Sequence, residues 1–192
     1  MLRSTFLRLE SYKLYFFICF LISNAIAAVL SQSGIIPDIV PGVPIPDIAT
    51  LKNGTILVPS QILSWYSLLE RLDQARKLYF WITVVDFVAI IPSYTLWLGC
   101  EIAPLSQWAG ILCHIPVCTA LFDILETATH FFAIQDRYLH RTDVGFAYWT
   151  PPMGLLAAAC LATPIKFLGI FVCLTIVAFG RWKSRSEKSK LD

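Results

Sequence analysis

Charge is what this chain has least of. Asp, Glu, Lys and Arg make up 15% of its 192 residues, against ~25% in soluble domains. A chain so poor in charge lacks the solvated surface of a soluble protein. The net charge of +2, with basic residues scattered, also gives no nucleic-acid footprint, so no nucleic-acid partner is expected. There is no Gly-rich phosphate loop, zinc signature or nucleophile elbow. No inverted repeat of the transporter kind is visible. Cysteines number six, yet Cys19, Cys113, Cys118, Cys160 and Cys173 lie inside apolar runs and Cys100 at the edge of one. None has metal-ligand spacing, so they read as small packing residues, and neither metal nor cofactor is expected.

What is present is apolar: 57% of the residues are hydrophobic and mean hydropathy is +0.67. The excess is concentrated in runs long enough to cross a hydrocarbon core of ~30 Å. The expected fold is all-α: a polytopic four-helix transmembrane bundle with an amphipathic helix on the luminal surface. The spans are placed at residues 14–30, 78–98, 105–134 and 152–180, with an N-terminal segment 1–13 and a basic tail 181–192. Arg3, Arg8, Lys13, Arg181, Lys183, Arg185, Lys188 and Lys190 flank the outer ends. Lys52, Arg71, Arg76, Lys77, Arg137 and Arg141 occupy the opposite loops. The bias places both termini in the cytosol. The basic start, short apolar core and A-x-A spacing of Ala25 and Ala27 also fit a cleavable signal peptide. On either reading, residues 31–77 are luminal.

In that loop, "IPDIVPGVPIPDI" reads as an extended, polyproline-like strap, either a plain linker or a docking segment. From Pro59-Ser60 onward, Ile62, Tyr66, Leu69 and Leu72 recur at helical spacing, which predicts an amphipathic surface helix leading into the second span. Asn53 opens an "NGT" glycosylation sequon.

The few charges within the spans are the candidate site. "FDILETATH" (122–130) puts Asp123, Glu126 and His130 on one helical face. Asp86 lies in the second span and Lys166 in the fourth. At ~1.5 Å per residue, Asp86 and Glu126 are ~12 Å below the luminal surface, Asp123 ~16 Å and Lys166 ~21 Å. Charges from three helices thus converge in depth. Two readings stand side by side: an ion-pair network that fixes helix register, and a polar cavity that binds a ligand or moves protons. His130, about one turn from the surface, reads as an interfacial side chain with its tip in reach of water, or as a pocket ligand. Pro92, Pro116 and Pro164 are each expected to bend a span.

From "WYSLLERLDQARKLYFWITVVDFVAIIPSYTLWL" onward, the chain resembles an uncharacterised four-helix membrane family of bacteria and fungi. The carrying residues are Arg76 and Tyr79, Asp86 and Pro92, Asp123 and Glu126, and Lys166. Thr127 stands where that family usually has Asn, and the resemblance implies no activity. In layout, "VDFVAIIP" is similar to the acid-then-Pro span of the EXPERA fold, the emopamil-binding isomerases and the sigma-2 receptor. That likeness implies carboxylates facing a bundle pocket for a sterol-like cation, although Asp123 with Glu126 and the Lys166 position depart from it. The terminal "KSKLD", with Lys188 and Lys190, looks like a dilysine retrieval signal and implies the endoplasmic-reticulum membrane. The functional expectation is a pocket for a lipid or sterol-like amphiphile. The alternatives are an acid–base enzyme on such a ligand and a structural subunit whose charges meet a partner's helix.

Overall fold

The computed structural model describes residues 1–31, 73–105, 109–139 and 153–188, and among them every regular element is helical. Helix α1 (Leu2–Leu9) runs through a 3₁₀ turn (Glu10–Tyr12) into α2 (Lys13–Ser31). Helix α3 (Asp73–Val85) continues through a π-turn (Asp86–Ile90) into α4 (Ile91–Ile102). The short α5 (Ala109–Leu112) precedes α6 (His114–Leu139), and α7 (Met153–Lys188) closes the chain. Four stretches are long and apolar enough to cross a membrane: Leu2–Leu30, Lys77–Ile102, Ala109–Phe132 and Ala157–Ser184. By length and composition this is a multi-pass membrane protein. The strap, Asn53, the start of the amphipathic helix and Lys190 lie outside the described residues.

Local chemistry explains the breaks. Pro92 has no N–H to give the carbonyl of Val88, and the chain meets that loss with a π-turn directly before it. Pro116 falls in the first turn of α6, where N–H groups have no intrahelical partner anyway. It therefore opens a helix, and the span is interrupted at the Cys113 turn between α5 and α6, where Pro116 leaves the Leu112 carbonyl without an i+4 donor. Pro164 lies inside α7, which stays helical around it.

The second span extends to Ile102 and so takes in Glu101. That carboxylate is tolerated because Arg181 Nη2 of α7 donates to its Oε2 at 2.6 Å. At the same end, Arg3 Nε donates to Ala103 O at 3.1 Å. Phe6 is buried against Gly99, where an added Cβ would be 2.5 Å from Phe6 Cζ. The apolar core gathers here, with Phe6, Leu98, Ile102, Cys100, Cys113 and Cys173. All six cysteines are free thiols, and the buried ones act as small apolar packing groups. Helix α2 lies along the outside of α4 through Phe17 on Trp97 (ring centroids 4.7 Å apart) and Phe20 on Tyr94 (6.2 Å). Helices α6 and α7 form the most extensive contact of the bundle.

A buried ionic centre between three helices

The carboxylates of α6 and the ammonium of α7 meet partway along the two helices, next to Tyr94 and Ala120 of the apolar core. Asp123 and Glu126 are one helical turn apart and project from the same face. Lys166 enters from the antiparallel α7 between them. Its Nζ is 3.0 Å from Asp123 Oδ1 and 2.7 Å from Glu126 Oε2. The remaining oxygens are taken by hydroxyls. Tyr94 OH of α4 donates to Asp123 Oδ2 at 3.0 Å, and Thr163 of α7 donates to Glu126 Oε1. Asp86, at the start of the π-turn, accepts from Thr127 Oγ1 at 2.9 Å. Three helices thus contribute to one polar layer.

This layer is dry. Glu126 is 1% exposed, Asp123 4% and Lys166 5%. Charge attraction is strong in such surroundings, but so is the desolvation of each ion, and the two nearly cancel unless every lone pair is satisfied. Here Tyr94 and Thr163 bond the carboxylate oxygens that Lys166 does not meet, while Glu126 Oε2 has the charge of Lys166 beside it but no hydrogen bond of good geometry.

The sequence predicts one network of Asp86, Asp123, Glu126 and Lys166, and the fold brings the last three into direct contact. Asp86 stands beside them, accepting from Thr127, the residue after Glu126. Lys166, the deepest by rise alone, reaches its partners because its four-carbon stem spans a helix turn. His130 stands differently from the expectation of a tip in water. It is 2% exposed and among the largest fully buried side chains, since it continues the inward stripe of Asp123 and Glu126. Lys188 is the last residue of α7.

Three ligands of this layer escaped the sequence reading: Tyr94, Thr127 and Thr163. Weak signals exist in retrospect. Thr163 precedes Lys166 by one helical turn, and Thr127 is the neighbour of Glu126. Among the described residues no three His, Cys, Asp or Glu side chains converge as ligands for a metal. In comparison with known proteins, no family model, curated protein or solved structure matches this chain.

Proposed function

We propose that the Asp123–Lys166–Glu126 centre is the polar end of a site that binds a lipid or sterol-like amphiphile inside the membrane. The burial of the ion triad carries this reading. Apolar residues of similar volume would serve stability equally well or better than a buried ion pair. A chain that is 57% hydrophobic nevertheless keeps three charges and three hydroxyls in one layer. Ionisable groups at such depth are by default functional, and their bonds can be exchanged for those of a polar head group. The triad faces inward and pairs within its own bundle, which favours a ligand over a partner's helix as its counterpart. A second reading rests on the π-turn, since such turns recur at functional sites. There Asp86, with Glu126 across the bundle, would act as an acid–base group on the bound amphiphile.

Native mass spectrometry of the detergent-purified protein tests the first reading. Wild type is expected to carry a retained lipid. Glu126→Gln preserves shape and an oxygen for Thr163 but removes the charge, and Lys166 keeps Asp123, so it should melt near the wild-type temperature and release that lipid. An unchanged lipid complement in Glu126→Gln would overturn the assignment.

The same proposal places the protein in the endoplasmic-reticulum membrane with both termini cytosolic, in line with the basic flanks. Asn53 is then luminal. A glycosidase-sensitive mass shift should be present in wild type and absent in Asn53→Gln. Protease protection of a C-terminal tag in sealed microsomes would reverse the topology.

A further inference from the structure

A second feature lies on the outer side of α4. Between α2 and the π-turn runs an open groove of about 300 Å³. Its floor is made of small side chains, Cys19 and Ser23 from α2 and Ala89 and Ser93 from the π-turn and the start of α4. Its rims are apolar and exposed, with Ile22 at 55% and Val88 at 73%. The π-turn contributes to its shape, because a wider turn next to Pro92 keeps α3 and α4 from presenting one continuous ridge to α2.

We infer that this groove holds one acyl chain of a bilayer phospholipid. The occupant follows from three observations. Both bounding helices belong to candidate membrane spans, with mean hydropathy 2.0 and 1.6, so hydrocarbon is what meets the rims. The volume, at the lower end of the ~300–1,000 Å³ of small-molecule sites, leaves room for one slender chain. The groove also adjoins the ionic centre along the chain, because Ser93 lines it and the next residue belongs to the centre. Tyr94 follows Ser93, packs edge-on against Phe20 of α2 and donates its hydroxyl to Asp123. A chain seated against α2 and a head group engaging the triad would therefore lie on either side of the Ser93–Tyr94 step of α4. The inference rests on the proposed amphiphile site and adds where its hydrocarbon part lies.

Photolabelling in phosphatidylcholine nanodiscs tests it, with a phosphatidylcholine that carries a diazirine in one acyl chain as the probe. Adducts should concentrate on Cys19, Ile22 and Ala89. Val88→Trp places a large ring at an exposed rim without entering the core, and should lower groove labelling by about fivefold, the factor expected from displacing one or two buried methylenes. Phe171→Trp, on the exposed face of α7, should leave groove labelling unchanged. Equal melting temperatures of the three proteins in detergent establish that the fold is intact. Labelling spread evenly over the groove and the α7 face, or groove labelling insensitive to Val88→Trp, would overturn the inference.

The two proposals fail separately. If groove labelling is not selective while Glu126→Gln still releases the retained lipid, the groove assignment alone falls. If Glu126→Gln changes nothing while Val88→Trp still lowers labelling, the polar site falls and the chain site stands.

Discussion

Lys166→Met should destabilise the protein in detergent by about 3–5 kcal/mol, the usual result of stripping one partner from a buried ion pair. Lys166→Met combined with Asp123→Asn should lose less than the single change. The reason is in the geometry. Lys166 Nζ is within 3.0 Å of two carboxylates, Asp123 and Glu126, that are both buried. Methionine matches the length of the stem but leaves those anions facing each other across a dry layer. Asparagine at position 123 then removes one of the charges, and its side-chain oxygen can still accept from Tyr94 OH. Asp123→Asn alone should be the mildest member, because Lys166 keeps Glu126. Thermal melting of the four proteins of this cycle gives the coupling directly. Strictly additive losses would show that Lys166 and Asp123 do not act as a pair.

The second large effect is steric. Gly169 lies on α7 one turn beyond Lys166, and Thr119 lies on α6 one turn before Asp123. The helices are antiparallel, so the two residues meet directly beneath the ion triad. A Cβ at Gly169 would overlap Thr119 Oγ1 and stand 3.1 Å from its Cβ and Cγ2. Close approach through a small residue is how membrane helices gain packing energy. Gly169→Leu should therefore force α6 and α7 apart. The expected loss is about 1–3 kcal/mol from overpacking alone, with more from drawing Lys166 off its carboxylates. The retained lipid should be lost together with the stability. Gly169→Ala paired with Thr119→Ala should be close to wild type, since the alanine at 119 clears the overlapping oxygen and methyl group. It also gains from replacing a mid-helix glycine, worth up to ~1 kcal/mol. A paired variant as unstable as Gly169→Leu would mean that Thr119 is not what sets the helix separation.

Several features of this protein were determined by the linear sequence. Runs of apolar residues long enough for a hydrocarbon core appear as four candidate spans, the first beginning at Leu2 rather than Leu14, because length and hydropathy alone decide whether such a run can stay helical without water. The common face of Asp123, Glu126 and His130 follows from a period of 3.6, and the single Lys in the fourth span had to find an anion nearby.

Tertiary structure decided what those groups meet. Hydroxyl residues are the clearest case. Thr95, Thr129 and Thr175 each bond the carbonyl four residues back in their own helix, so a threonine in a span carries no visible demand for a partner. Thr127 and Thr163 reach across to Asp86 and Glu126, although Thr163 also stands 3.4 Å from the carbonyl of Ala159 in its own helix, and only the facing of the π-turn, α6 and α7 adds the partner. His130 differs from its expected place for a related reason: rise per residue gives depth along a helix but not what covers it, and neighbouring helices close over that face. The pairing of Glu101 with Arg181, 80 positions apart, and the fit of Phe6 against Gly99 are likewise properties of assembled helices. Helix periodicity sets which way a side chain points, whereas its partner depends on which helix is packed opposite and how closely.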